Sequence, residues 1–257
     1  FPTEKMQSMP ALQDGARTFV NYCLNCHSAS MMRFNRLQDI GLTDEQISGS
    51  LQFTEGRVGD LMKVAMRHED GKAWFGAAPP DLSVEARARA SDSGSGADWI
   101  YTYLRSYYRD GSRETGWNNA IFPNVGMPNP LWQWQGMRGA VEERVAPVTD
   151  EATGKVTGWT KTTITYDREG NKSEKVEKVS GDGLHEGTHF TLGTPEGGTL
   201  SQAEFDDKVA NLVAFMKFMS DPSASTRGRL GIWVLLFIAL FVGCTWWLNR
   251  EYWKDIK

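Results

Sequence analysis

Apolar side chains recur at helical spacing in four segments of the chain, which places them on one face of each predicted helix. These segments are 12–22, 57–66, 99–107 and one that runs from 201 to about 221. The 99–107 segment carries an aromatic face. Capping boxes begin the last segment, at Ser201 and Glu204, and a further short helix at 43–51.

Two other stretches break the helical pattern. Glycine and proline are frequent in 111–130, which suppresses helix and predicts an extended loop. In 156–179 a threonine-rich run and a Lys/Glu/Val run flank the sequence REGN, which is typical of a β-hairpin with a glycine-containing turn. We therefore predict a mainly α ectodomain at 1–222 with a β-hairpin insertion at about 141–198.

An uncharged apolar run of 19 residues covers 230–248. As a helix it is about 28 Å long, close to the hydrocarbon thickness of a bilayer. Basic residues bracket it, and Trp246, Trp247, Tyr252 and Trp253 form an aromatic cluster at its far end. A buried core helix is the alternative, but such helices rarely carry these flanks. The pattern predicts a single-pass anchor at 230–248, with a linker at 223–229 and a short tail at 249–257.

Composition narrows the class of protein. The chain has 257 residues, of which 40% are hydrophobic, and its net charge is -4. These values exclude a disordered polymer and show no basic footprint for nucleic acid. The charge is uneven, because 141–200 holds 11 acidic and 7 basic residues while the remainder is neutral. This acidic stretch could steer a basic partner, or it could be a solvated insertion.

Cys23, Cys26 and His27 form the sequence C-x-x-C-H, the attachment signature of c-type haem. Two thiols add across the two vinyl groups of one haem, and the adjacent histidine reaches the iron. A thiol redox pair would prefer a βαβ context, which the pattern lacks. A zinc site would need a second ligand pair, for which His185 and His189 in a glycine-rich stretch are the candidates. The motif therefore predicts one covalently bound haem c.

The same motif predicts the compartment. Covalent haem attachment takes place outside the bacterial cytoplasm, so the ectodomain is expected on the periplasmic side of the inner membrane and the tail in the cytoplasm. Phe1 in place of a starting methionine suits a removed export leader. Cys244 lies inside the apolar run and is interpreted as an apolar filler.

The sixth ligand of the iron is predicted to be Met127. Gly126 before it lets backbone approach the ring, and Pro128 after it stiffens the loop. Of the other nine methionines, eight lie on helical stripes, too close to the C-x-x-C-H motif, or in the N-terminal segment. His68 is the leading alternative. A thioether ligand would favour ferrous iron and raise the reduction potential.

The haem propionates need cationic partners. Arg87 and Arg89 are two residues apart, so on a helix they face in different directions. One guanidinium can reach a propionate while the other is solvated, although both could be surface arginines.

Taken in order, these motifs resemble the cytochrome c1 family, the haem subunits of ubiquinol–cytochrome c oxidoreductase. The matching motifs are C-x-x-C-H at 23–27, PPDLS at 79–83, RAR at 87–89, N-x-x-F-P at 119–123, G-M-P-x-P at 126–130 and the anchor at 230–248. The resemblance spans nearly the whole chain. It implies a c-type cytochrome fold with one C-terminal transmembrane helix.

The resemblance also implies roles for residues and partners. It implies that Cys23 and Cys26 hold the haem covalently and that His27 and Met127 ligate its iron. It also implies that Arg89 contacts a propionate and that Pro80 packs against the ring. It further implies an electron donor, the Rieske iron–sulfur protein, an acceptor, soluble cytochrome c, and assembly with cytochrome b in a dimeric complex. Two departures stand out: the 141–198 stretch does not map onto the family, and three cysteines cannot form the extra disulfide of some bacterial members.

Three other functions stay open at this point. The chain could be a membrane-tethered cytochrome of another respiratory complex, working without cytochrome b. It could be a haem sensor or peroxidase with an open sixth site, which requires that Met127 does not bind iron. It could also be a structural subunit in which haem only staples the fold.

Overall fold

The computed structural model describes residues 1–53, 56–149, 155–180 and 185–254. The chain divides into two units, Phe1–Ser220 and Asp221–Lys257. Within the described residues the α-helices are α1 (Met9–Thr18), α2 (Asp44–Ser50), α3 (His68–Phe75), α4 (Glu85–Ala88), α5 (Gly96–Leu104), α6 (Trp132–Gln135), α7 (Gln202–Ser220) and α8 (Ala224–Tyr252). The mainly α fold with small sheets and one long apolar C-terminal helix confirms the predicted fold class.

The strands of the described part form three antiparallel sheets. The strands are β1 (Ala29–Arg33), β2 (Leu61–Met62), β3 (Tyr107–Arg109), β4 (Trp117–Asn119), β5 (Ala140–Thr149), β6 (Val156–Tyr166), β7 (Lys172–Val179) and β8 (Gly187–Leu192). Strands β1 and β2 pair, β3 and β4 pair, and the other four form one sheet in the order β7-β6-β5-β8.

The core of the first unit is built on the contact between α1 and α7. A β-carbon added to Gly15 of α1 would lie 2.0 Å from the backbone oxygen of Asn211 in α7, so the two helices approach backbone to backbone. Beyond this point the rings of Phe19 and Phe215 lie 5.5 Å apart, both fully buried. The predicted box at Ser201 begins α7, where Glu204 accepts from the Ser201 backbone N–H at 2.9 Å. The helices predicted at 12–22 and from 201 to about 221 are therefore confirmed.

Two helical predictions need correction. The 57–66 segment is not a helix, because the carboxylate of Asp60 accepts the Arg57 backbone N–H at 2.8 Å and holds a turn, after which β2 pairs with β1. The aromatic helix at 99–107 ends at Leu104, and Tyr107 lies in β3. Strand β3 pairs with β4, which lies inside the predicted 111–130 loop.

The predicted hairpin is half of a larger sheet. Strands β6 and β7 pair from Trp159 opposite Val179 to Tyr166 opposite Lys172, which confirms the hairpin. Strands β5 and β8 extend it on the other side and were not predicted. Buried side chains of β5 and β6 pack against Tyr108 of β3, and this small cluster ties the sheet to the ectodomain.

The second unit consists mainly of α8. Its stretch Thr226–Tyr252 is 27 residues long, has a mean hydropathy of 2.1 and is long and apolar enough to cross a membrane. The predicted span 230–248 lies within it. Most of the predicted 223–229 linker is helical, because α8 begins at Ala224. In the predicted tail at 249–257, residues 249–252 belong to α8, and 253–254 are the described residues that follow it.

Candidate functional site

A cavity of about 480 Å³ opens in the first unit, and its wall is mainly apolar. Five parts of the chain build it: the end of the π-helical turn Phe19–Cys23 with the residues after it, the segment 75–82, helix α4 with Arg89 at its end, helix α5, and the loop 122–130. Met216 of α7 contributes to the wall as well.

The C-x-x-C-H segment follows directly from α1. The backbone N–H groups of Cys26 and His27 both donate to the carbonyl of Cys23, at 3.1 and 2.9 Å, which winds the motif into a tight turn. All three side chains line the cavity. Burial raises the pKa of Cys23 to about 12 and also raises that of Cys26, so both groups stay protonated thiols.

His27 is held by one hydrogen bond to a distant backbone group. Its Nδ1 lies 2.7 Å from the carbonyl oxygen of Pro80, which accepts the Nδ1–H proton and fixes the tautomer. Burial lowers the pKa of His27, although the bond to Pro80 opposes this shift, and the ring therefore stays neutral. A neutral imidazole whose Nδ1 carries the proton offers the Nε2 lone pair to a metal.

Met127 lies on a loop that two buried asparagines shape. The side-chain oxygen of Asn119 accepts the backbone N–H groups of Ile121 and Phe122, and its amide donates to the Tyr103 carbonyl at 2.8 Å. Asn118 accepts the N–H of Asn124 at 2.8 Å. The loop carries the half-buried Met127 side chain into the cavity wall.

A close backbone contact explains why residue 126 of this loop is a glycine. A β-carbon there would lie 3.0 Å from the backbone oxygen of Phe75, which is tighter than an ordinary contact. The close approach that glycine permits is therefore to the 75–82 segment, which also lines the cavity.

Two tyrosines, Tyr103 and Tyr107, are linked by hydrogen bonds to the Met127 thioether. The Tyr107 hydroxyl donates to the Tyr103 hydroxyl at 2.6 Å, and Tyr103 donates to the Met127 Sδ at 3.6 Å. Burial raises the pKa of both tyrosines, so both hydroxyls stay protonated and can donate.

The two arginines of the R-A-R sequence have different surroundings. Arg89 lines the cavity, donates from Nε to Glu85 at 2.5 Å and lies over the Trp99 ring at 4.5 Å. Arg87 is exposed. The structure thus distinguishes the two residues as the helical spacing predicts.

All six predicted site residues line this one cavity: Cys23, Cys26, His27, Pro80, Arg89 and Met127. The alternatives lie elsewhere. His68 is exposed at the start of α3, and His189 lies in β8 opposite Glu143. No cluster of three metal-ligating His, Cys, Asp or Glu side chains occurs in the described part of the chain.

The sequence patterns do not predict five supporting residues: Asn118, Asn119, Tyr103, Tyr107 and Glu85. Their polar atoms act through other residues, and periodicity gives no signal for that role. Asn119 alone is marked in the sequence, since it begins the N-x-x-F-P motif.

The donor set fits a c-type haem. Two protonated thiols stand in the wall beside a neutral imidazole, and a thioether is supplied by a separate loop. The cavity volume of about 480 Å³ falls within the range of cofactor pockets, and its wall is mainly apolar. Histidine with methionine is the ligand pair that cytochromes c use. Fold and site together define the class as a c-type cytochrome.

Comparison with known proteins then gives the family. Residues 4–143 match the model of the cytochrome C1 family. A cytochrome c1 of Allochromatium vinosum is 35% identical over 98% of this chain and 86% of its own length. A cytochrome c1 of Rhodospirillum rubrum is 24% identical over 96% of this chain and 82% of its own length. The chain belongs to the cytochrome c1 family.

A relative with a different name matches as well. The ammonia monooxygenase gamma subunit of Nitrosomonas europaea is 40% identical over 96% of this chain and 83% of its own length. Family membership makes this chain a haem-bearing electron-transfer subunit with a membrane anchor, in the context of a cytochrome bc1 complex.

Proposed function

We propose that this chain accepts one electron from a Rieske iron–sulfur protein and passes it to a soluble cytochrome c, within ubiquinol–cytochrome c oxidoreductase. The observation that carries the proposal is the meeting of four donor side chains in one cavity: Cys23, Cys26, His27 and Met127. Cytochrome c1 relatives support the same role.

One haem c is held in this proposal by two thioether bonds. Cys23 and Cys26 would hold the group covalently, each by addition of its S–H across one vinyl group, with the sulfur on one vinyl carbon, the hydrogen on the other and nothing released. When bound, the haem supplies an iron that takes up and releases one electron. The protein contributes the position and the electrostatics.

The cavity side chains set the potential of that iron. His27 donates Nδ1–H to Pro80, which fixes the ring orientation and raises the basicity of Nε2. The Met127 thioether is a soft ligand that favours the ferrous state and gives a high potential. Apolar walls limit the access of water. Arg89 lies at the cavity wall, where its positive charge suits a propionate.

Partner proteins reach the site from the side where its wall is exposed. Phe122 lines the cavity and is 45% exposed, and Ile121 next to it is 38% exposed. An apolar rim of this kind suits a brief contact with a redox partner. In this proposal the ectodomain lies on the periplasmic face of the inner membrane, α8 packs beside cytochrome b, and the complex is a dimer.

A second candidate follows from the Nitrosomonas europaea relative. Its name assigns it to an ammonia monooxygenase, and it shares 40% identity with this chain. The chain would then be a tethered electron carrier in another oxidoreductase complex, with the same haem site. The two candidates differ in their partners and not in their haem chemistry.

Purification of the full chain from its native membranes in mild detergent tests the assembly. The proposal predicts copurification with cytochrome b and a Rieske protein, and quinol-driven reduction of a soluble cytochrome c by the complex. Copurification with a different oxidoreductase and without cytochrome b would support the second candidate instead.

Cysteine variants test the covalent attachment. After denaturation, haem should stay on the wild-type chain, and the Cys26→Ser variant should keep only one thioether, detected as an unreacted vinyl group in the spectrum of the denatured protein. Cys244→Ser is the matched control, because this exposed cysteine lies in α8. Haem that leaves the wild-type chain on denaturation would contradict the assignment.

A further inference from the structure

Two buried hydroxyl groups form a chain of hydrogen bonds that ends at the Met127 sulfur. Tyr107 is fully buried and Tyr103 is 9% exposed. The Tyr107 hydroxyl donates to Tyr103 over 2.6 Å, which uses the acceptor side of the Tyr103 hydroxyl and directs its proton elsewhere. That proton goes to the Met127 Sδ, 3.6 Å away.

The fold fixes both phenols independently of the methionine. The carbonyl of Tyr103 accepts from Asn119 at 2.8 Å, and the carbonyl of Tyr107 accepts from the buried Arg138 at 2.7 Å. The Tyr103 ring stacks on Trp99 with a centroid distance of 4.9 Å and an angle of 11° between the planes. Because the rings are held in this way, the position of the hydroxyl is set by the core, and the flexible Met127 side chain adjusts to it.

We propose that Tyr103 is a positioning residue for Met127, oriented by Tyr107, and that its hydroxyl raises the reduction potential of the site. The proposal rests on the assignment of Met127 under the proposed function. A thioether sulfur has two lone pairs, so donation to one of them leaves the other for the iron. The hydrogen bond withdraws electron density from the sulfur, which disfavours the ferric state more than the ferrous state.

The test compares three tyrosine-to-phenylalanine variants of the full haem-loaded protein. Tyr103→Phe removes the donor to sulfur, and Tyr107→Phe removes the group that orients it. Tyr101→Phe is the matched control, since Tyr101 lies on the same helix and its hydroxyl contacts the Asp206 backbone. The readouts are the midpoint potential, the absorption band of ferric iron–sulfur ligation and the temperature of unfolding.

In Tyr103→Phe we expect the ratio of reduced to oxidised protein at a fixed ambient potential to fall about two- to fivefold, which is roughly 20–40 mV. Tyr107→Phe should shift the potential in the same direction by less, and Tyr101→Phe should leave it unchanged. If Tyr103→Phe does not fold, the potential and sulfur band of Tyr107→Phe decide.

An unchanged potential in the Tyr103 and Tyr107 variants would overturn the proposal, even where the unfolding temperature falls. An equal shift in all three variants would overturn it too. Failure of the Met127 assignment itself is recognised separately, because the sulfur band would then be missing from the wild-type protein.

Discussion

At the scale of single residues, one backbone carbonyl decides what His27 can do. The Pro80 carbonyl accepts a hydrogen bond from the Nδ1–H of the ring, which leaves the Nε2 lone pair available to a metal. The 79–83 segment is in turn attached to the residues after the C-x-x-C-H motif, because Leu82 N–H donates to the Ser28 carbonyl at 2.8 Å. The motif and its orienting carbonyl therefore fold as one local structure.

The two arginines of R-A-R give a prediction at this scale. Arg89→Gln should lower the midpoint potential, because it removes a positive charge from the cavity wall and leaves Glu85 without this ion pair. Arg89 is 38% exposed at its side chain, so solvent screening should limit the shift to roughly a few tens of millivolts.

Arg87→Gln is the matched control for this measurement, since Arg87 is exposed and does not line the cavity. Redox titration of both variants checks the prediction. Equal shifts in the two variants would show that Arg89 has no special place near the haem.

At the scale of elements, the contact of α1 with α7 fixes where the C-x-x-C-H motif stands. Gly15 allows the two backbones to meet, and Phe19 and Phe215 fill the space beyond. Across the same contact the Asp14 carboxylate accepts hydrogen bonds from Lys208 and Asn211, at 2.6 and 2.9 Å. The haem motif begins where this helix pair ends.

The close helix contact makes Gly15→Ala a sharp test. The added β-carbon would meet the Asn211 backbone oxygen at 2.0 Å, and overpacking of this kind typically costs about 1–3 kcal/mol. The unfolding temperature of the haem-loaded protein should fall. Gly49→Ala in α2 is the control, because nothing lies within 4 Å of its added β-carbon and the unfolding temperature should hold or rise. Equal stability of the two variants would show that α1 and α7 are not in backbone contact.

The sequence predicted the elements whose signal is local. The helices at 12–22, 43–51 and 201–221, the hairpin and the anchor all follow from periodicity, caps and hydropathy, and the structure contains each of them. Strands β5 and β8 were missed because β5 carries Pro147 and charged side chains, and β8 is short and follows glycines. Their partners in the sheet are set by tertiary pairing, which no local pattern encodes.

The same distinction holds in the site. Cys23, Cys26 and His27 form a contiguous motif, and Gly126 and Pro128 mark Met127, so a sequence can reveal them. The hydroxyl of Tyr107, which orients that of Tyr103, could not be placed, because the pattern predicts one helix over 99–107 and the chain instead leaves α5 after Leu104 and enters β3. Buried polar groups that act through another side chain need the fold before they can be found.

At the scale of the whole molecule, the acidic excess of the stretch 141–200 rests on only some of its acidic side chains. Five of its acidic side chains form ion pairs with neighbours among the described residues: Glu142, Glu143, Glu174, Glu177 and Glu196. Asp150, Glu151 and Asp182 lie outside the described residues. Of the remaining three, Asp167 accepts two hydrogen bonds from Asn171, so the exposed Glu169 and Glu186 are the clearest candidates for steering a basic partner.

Replacing both of these by glutamine tests the steering hypothesis. In low salt the double variant should be slower, by about two- to threefold, in reducing a basic soluble cytochrome c. The difference should vanish at about 1 M salt, where the Debye length is about 3 Å. Stopped-flow kinetics over a series of salt concentrations checks it, and an unchanged rate at low salt would remove this sheet from the docking surface.

We propose that His27 and Met127 ligate the iron of a single covalent haem that relays electrons, and this ligation has a direct test. It is tested most directly by a redox titration of the purified full-length protein, following the visible haem α band and adding carbon monoxide at the ferrous end. We expect one high-potential centre that does not bind carbon monoxide, and a lowered potential in Met127→Lys. Ready binding of carbon monoxide, or a low potential in the wild-type protein, would contradict the Met127 ligation and favour a sensor or a bis-histidine site with His68.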